Sequence, residues 1–188
     1  FAIVLPEQDV AVAITSEVDA MQDVLDLVWR HLLPAIDAES DPEADARLAG
    51  RLAALTHPPL SGAERREPVR AARHPDSQLP EEYGAVSLEA SADGHHVLRI
   101  DHPAGELVTT VGDGAWLESR WPTPRGPELA VVASGAWRDG VFSAQLRLAE
   151  TPHTVLVEVD PAAGTALLGW RMVPLNGADP MWAAAFPV

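Results

Sequence analysis

Two hydrophobic patterns divide the chain. Over residues 1–15 the apolar side chains run together, in Phe1-Ala2-Ile3-Val4-Leu5 and in Val10-Ala11-Val12-Ala13-Ile14-Thr15, on either side of a Pro6-Glu7-Gln8-Asp9 turn. This predicts a strand, a short turn and a second strand. Helical spacing follows. Met21, Leu25, Val28 and Leu32 fall on one stripe, widened by Val24, Leu27, Trp29, Leu33 and Ile36. Ser16 with Asp19 resembles a capping box and is expected to fix the helix start, while Pro34 is expected to mark its end.

From Tyr83 onward the period becomes two. Val86 and Leu88 share a face, as do Leu98 and Ile100. Phe142, Ala144, Leu146 and Leu148 oppose Ser143, Gln145 and Arg147, and Val155, Val157 and Val159 oppose Leu156 and Glu158. Turn signals separate these runs at Asp93-Gly94, Gly112-Asp113-Gly114, Arg138-Asp139-Gly140 and Asp160-Pro161-Ala162-Ala163-Gly164. About eight short strands at this spacing predict an antiparallel meander closing into a barrel or a strongly curved sheet. Trp170, Met172, Met181, Trp182 and Phe186, around Asn176-Gly177, give the tail enough apolar weight to pack back on something.

Between the two patterns lies a stretch of different character, residues 37–82. Asp41-Pro42 makes a good N-cap and first helical position, and Leu48, Leu52 and Leu55 share a face over Ala44 to Leu55, predicting a short helix docked on a flanking domain. His57 to Glu82 is charged and rich in proline, at positions 58, 59, 68, 75 and 80, and reads as an extended tether. The expected organisation is thus a hairpin and helix over 1–36, a linker with a short helix over 37–82, and a β-barrel over 83–188.

The unalternating runs near the start carry a physical implication. Strands that are apolar on both sides need both faces covered, and one hairpin with one helix covers only one. Each large side chain fully buried contributes roughly 1.5–3 kcal/mol, so the helix stripe also calls for a sheet to lie on. Residues 1–36 therefore read as the end of a larger α/β domain whose upstream part is the expected partner.

Strand, turn, strand and long helix, with Met21-Gln22 at the helix start and LDLVWRHLLPA over 25–35, resemble the closing segment of the serine β-lactamase and penicillin-binding-protein fold. More narrowly, they are similar to actinobacterial β-lactamase-related serine hydrolases of the class C, esterase and D-aminopeptidase type. The resemblance extends more loosely through residues 37–188, because such proteins often carry a C-terminal β-rich domain with a segment like Ser134-Gly135-Ala136-Trp137 through Glu150-Thr151-Pro152. It implies a parent enzyme that forms an acyl-serine and hydrolyses an amide, an ester or a β-lactam. The family works through a Ser-x-x-Lys motif, a Tyr-x-Asn motif and a Lys-Thr-Gly-like motif. None falls here: the sequence has no Lys, its one Tyr, Tyr83, precedes Gly84-Ala85, and its one Asn is Asn176. The resemblance places the last motif just upstream of Phe1, so no catalytic residue is carried onto this chain, which by itself is expected to be inactive.

Composition changes the picture in three ways. Cysteine is absent, which removes disulfides, thiol nucleophiles and thiolate metal sites and leaves the redox compartment open. A formal charge of −15, with all thirteen cationic residues arginine, speaks against nucleic acid and anionic membranes. No targeting signal or membrane span is visible in the sequence, and a bacterial cytoplasm is the favoured setting.

The remaining candidates have ordinary readings. His95, His96 and His102 form the one histidine cluster, but strand neighbours point to opposite faces, so exposed turn histidines are expected instead of a metal site. Glu81-Glu82 and Glu158 with Asp160 read as solvated acidic surface, His31 as a cation near a helix C-terminus, and Arg147 with Glu150 as a surface pair. Trp116, Trp121, Trp137 and Trp170 are expected to be core aromatics, with an aromatic-lined ligand cavity as the alternative. No cofactor or metal is expected. The leading expectation is the C-terminal portion of a β-lactamase-like serine hydrolase with a barrel accessory domain. The alternative is a non-catalytic lipocalin-like ligand-binding or assembly module, including a homo-oligomer.

Overall fold

The structure is a computed structural model that describes residues 2–14, 16, 18–36, 38–39, 41–63, 67–123, 127–174, 177 and 179–183. Phe1, Thr15, Asn176 and Phe186 lie outside these residues, as does the side chain of Trp182. The chain forms two compact units, residues 1–58 and 59–188.

In the first unit, β1 (Ala2–Leu5) pairs antiparallel with β2 (Val10–Ala13), with Ile3 opposite Val12 and Leu5 opposite Val10. Helix α1 (Met21–Leu27) starts at Ala20 without a side-chain cap, so the capping box expected from Ser16 and Asp19 does not form. Pro34 does not end the helix either. A π-helical turn over Val28–Leu32 follows α1, and the helix continues as α2 (Leu33–Ile36). Proline lacks an N–H and its ring crowds the carbonyl four residues back. In the wider turn, the Leu33 N–H instead reaches back to the Val28 carbonyl, a five-residue spacing that absorbs the misfit.

Helix α3 (Pro42–Ala53) begins as the sequence predicts, with Asp41 Oδ1 accepting from the Glu43 and Ala44 N–H groups at 3.0 and 3.1 Å. Leu48, Leu52 and Leu55 stay exposed, so the expected docking face is uncovered. With no core contacts to hold it, α3 depends on its cap. Asp41→Ala is expected to lower its stability by about 1 kcal/mol, read as faster exchange of the α3 amides.

The second unit is a nine-stranded, nearly closed barrel-like sheet. Its strands are β3 (Val69–Arg73), β4 (Val86–Ala90), β5 (His96–Ile100), β6 (Leu107–Val111), β7 (Leu117–Trp121), β8 (Leu129–Arg138), β9 (Val141–Leu148), β10 (Thr154–Asp160) and β11 (Thr165–Trp170). Their spatial order is β6-β5-β4-β3-β11-β10-β9-β8-β7. Successive strands run antiparallel, and an odd number of them makes the first and last parallel. Thr165 accordingly pairs with Ala72 and Ala166 with Arg73 in parallel.

The alternating positions face inward as expected. In β9 every second residue from Phe142 is buried, and Val155, Val157 and Val159 of β10 are fully buried. Hairpins close on the predicted turns: Asp139 and Gly140 both have positive φ, 52° and 84°, the two-residue geometry that matches strand twist and that an Asp-Gly pair tolerates.

Of the tether expected over 57–82, the described residues 59–63 and 67–82 belong to the second unit, and the chain divides at 58/59 and not at 82. Strand β3 falls inside it. The segment after β3 follows β11: His74 N donates to Ala166 O, Gln78 N to Leu168 O, and Trp170 N to Gln78 Oε1. The Arg73 guanidinium pins this loop by donating to the Ser77 and Leu79 carbonyls at 3.0 and 2.7 Å.

The sheet's seam lies where β6 meets β7 and β8. Gly112 pairs with Ser134, Gly135 N donates to Gly112 O at 2.9 Å, Thr110 N donates to Ser119 Oγ, and Trp121 Nε1 donates to Thr109 Oγ1 at 2.9 Å.

Candidate functional site

The first unit presents an apolar surface. Of its described residues only Val28 is buried. Val4, Met21, Leu27, Trp29 and Leu32 stand exposed, Val4 at 68 % and Met21 at 58 %, while Ile3, Leu5, Val10 and Val12 are half-buried on the other face of the hairpin. Scattered apolar residues are ordinary on a surface, but a hairpin and helix whose described large apolar side chains, Val28 apart, are all exposed or half-buried lack a core of their own.

In the barrel, Val86, Leu98, Ile100, Leu107, Phe142 and Leu146 are wholly inaccessible. Walls of a water-sized internal cavity would retain accessible area, so these side chains fill the interior around them. Trp121, Trp137 and Trp170 belong to this core, as the ordinary reading of the tryptophans expects. Trp116 differs: it is half-buried, with the Arg147 guanidinium 4.9 Å above its ring.

The histidines do not form a metal site. Among the described residues no group of three or more His, Cys, Asp or Glu is placed to hold an ion. His96 departs from the expected exposed turn residue, because β5 begins with it and the strand's inward parity starts there. It is only 3 % exposed, and its ring meets Phe142 edge-on at 5.0 Å. His96 Nε2 and His95 Nδ1 are shielded from water with no hydrogen-bond partner. Burial holds the His96 imidazole below its ordinary pKa, with His95 acting the same way and Asp113 opposing. His102 packs against Tyr83 instead, with ring centroids 4.9 Å apart. Asp160 serves its own turn, accepting from Ala162 N and Ala163 N, and Glu158 is exposed.

Two features escaped the sequence pattern. The first is a strap, residues 59–63, that crosses the outer side of β8. Leu60 N donates to Ser134 Oγ at 2.8 Å and Gly114 N to Leu60 O at 2.7 Å; Ala63 pairs with Trp137, and Arg138 donates to Ser61 O. Gly62 N donates to Asp113 Oδ1 at 3.2 Å. The strap thus ties the β6–β7 turn to β8 across the seam, and it buries Ser134 and Ala136 on the strand's outer face.

The second is the tail's anchor. Tyr83 is fully buried and donates its hydroxyl to Asp179 Oδ1 at 2.6 Å, and the same oxygen accepts from Met181 N at 2.9 Å. Through this pair the short helix α4 (Pro180–Ala183) seats Met181 in the barrel core, so the tail packs on its own barrel. Burial first, then the Asp179 hydrogen bond, raises the Tyr83 phenol above its ordinary pKa, so it stays a neutral donor. Tyr83→Phe is expected to cost about 1.5–3 kcal/mol, the range for a bond to a charged group, and to speed proteolytic trimming of the tail while the barrel stays folded.

Compared with protein-family models, with curated proteins and with solved structures, the chain finds no match. Among the described residues no helix is long and apolar enough to cross a membrane.

Proposed function

We propose that residues 1–36 are the closing hairpin and helix of a β-lactamase-like serine hydrolase domain, and that the barrel is an accessory domain of the same enzyme. The observation that carries this reading is the exposed apolar surface of the first unit, where Val28 alone among the described residues is buried. Strands that are apolar on both sides belong inside a larger sheet with helices on its faces. The resemblance of the 25–35 run to the family's C-terminal helix supplies the identity of that sheet.

In this reading the serine nucleophile, its base and the oxyanion donors come from the rest of the hydrolase domain, and this chain contributes structure and not chemistry. The barrel shapes access to the cleft or mediates assembly. A lipocalin-like module is the weaker reading, because most of the barrel's described core side chains have no accessible surface.

The test is made on the polypeptide that carries this barrel in its native source. Isolated through an antibody to the barrel, it should be heavier than 20.1 kDa and be labelled covalently, on a serine, by a fluorophosphonate or a fluorescent penicillin. The recombinant 188-residue chain should take up neither label. A native species of 20.1 kDa, or one that both probes leave unlabelled, overturns the proposal.

A further inference from the structure

The seam of the barrel joins three features that the proposed function does not use. His96 is a buried imidazole with an unpartnered Nε2, at the inner end of β5. Its strand neighbour is Val111, two residues before Asp113. Asp113 in turn holds the strap through Gly62 N, and the strap crosses the seam to Ser134 and Trp137. Asp113 therefore both acts electrostatically on the imidazole and holds the strap by a hydrogen bond.

We propose that His96, Asp113 and the strap 59–63 form an acid-sensitive latch on the barrel's seam. At neutral pH the uncharged imidazole sits in the apolar end of the barrel and the Asp113 carboxylate is left to hold Gly62. A proton on Nε2 creates a buried cation whose one nearby counter-charge is Asp113. Drawing the carboxylate inward removes the acceptor of Gly62, and letting the imidazolium reach water parts β6 from β8. Either way the strap is released.

The surroundings of His96 fit this role. Ala90 of β4, Val111 of β6 and Phe142 of β9 face it with hydrocarbon or aromatic edge. The charged or titratable groups acting on it are Asp113 and its chain neighbour His95. The strap carries no charge between Pro59 and Ala63, and Arg138 holds it by the Ser61 carbonyl on the outer side. A buried cation with one carboxylate partner is costly unless that partner fully satisfies it.

The sign follows from linkage. The closed state holds the imidazole below its ordinary value of 6.5, so closure takes up fewer protons than opening does. The latch is complete above 6.5 and weakens as pH falls below it. With one proton linked, the opening constant rises by up to about tenfold per pH unit in that window.

The experiment follows the amide protection factors of Ala63, Gly114 and Gly135 by NMR from pH 7.5 to 4.5, with the His96 ring resonance titrated in the same samples. Protection at these amides should fall together, toward tenfold per pH unit, from about pH 6.5 down to the pH where the His96 ring of the closed barrel titrates, and level off there. In His96→Leu the fall should vanish. In Asp113→Asn, which keeps an acceptor for Gly62 and removes the charge, it should still begin near pH 6.5 and continue to lower pH before levelling off. If His96→Leu does not fold, the decision rests on whether the fall in wild-type protection ends where the His96 ring titrates. A strap that opens with the same acid profile in His96→Leu, or whose protection keeps falling below the pH where the wild-type His96 ring titrates, overturns the latch.

Discussion

Trp121→Ala is expected to cost the barrel about 3–5 kcal/mol, a large share of what a domain of this size can lose. Trp121 closes β7, is wholly buried, and packs among the core side chains of the second unit. Its indole N–H donates to Thr109 Oγ1, across the seam where β6 and β7 share no continuous ladder. Truncation therefore opens a cavity and leaves the fully buried Thr109 hydroxyl unpartnered by the indole, and the two costs add. Trp121→Phe separates them: it keeps most of the volume, loses the hydrogen bond, and should cost about 1–2 kcal/mol. Urea denaturation followed by the fluorescence of the remaining tryptophans checks both values. A Trp121→Ala barrel within about 1 kcal/mol of the parent, near the cost of an exposed change, would show that the seam is not held from inside.

The second large effect is expected at Gly135. A Cβ built there lies 2.8 Å from the Ala144 Cβ, the Ser143 carbonyl oxygen and Val111 Cγ1. One of these atoms is backbone in a paired strand, and another belongs to β6 across the seam. The glycine is thus the place where β8 lets β6 come close enough for Gly135 N to reach Gly112 O. Gly135→Ala should cost about 3 kcal/mol, the upper part of the overpacking range, and should loosen β6 before the β8–β11 meander. Exchange of the Thr110 and Gly112 amides is the site-resolved readout. Unchanged protection there would mean that the contact relaxes without moving the strand.

Much of the barrel can be read in the sequence, because its strands are long enough for alternation to register and its turns use residues that accept positive φ. Phe142, Ala144, Leu146 and Leu148 face inward as their spacing requires, and Asp139-Gly140 turns the chain as its composition allows. Strand β3 is different. Its sequence is Val-Arg-Ala-Ala-Arg, and its one fully buried side chain is Ala71, so it carries almost no hydrophobic contrast. What makes it a strand is pairing with β4 and β11, a tertiary fact that no local pattern encodes.

The latch residues were hidden for the same reason. Leu60 and Ser134 are 74 positions apart, and the Pro-rich text around the strap reads as linker until β8 is beside it. The buried state of His96 follows from the position where β5 starts, and a one-residue change in that start would turn the ring outward. Helix α1–α2 shows the opposite failure. Pro34 is a strong stop signal, yet a π-helical turn before it lets the helix pass.

In the proposed reading the barrel holds itself together, whereas the hairpin and helix have no core of their own and need a larger sheet. Hydrogen–deuterium exchange of the full 188-residue chain at neutral pH tests this most directly. Amides of β1, β2 and α1 should exchange at least about three orders of magnitude faster than those of β9, β10 and β11, as expected for a segment without the roughly 5 kcal/mol that a self-standing fold supplies. Protection over residues 2–36 equal to that of the barrel strands would contradict it, showing that the first unit is stable without any further partner.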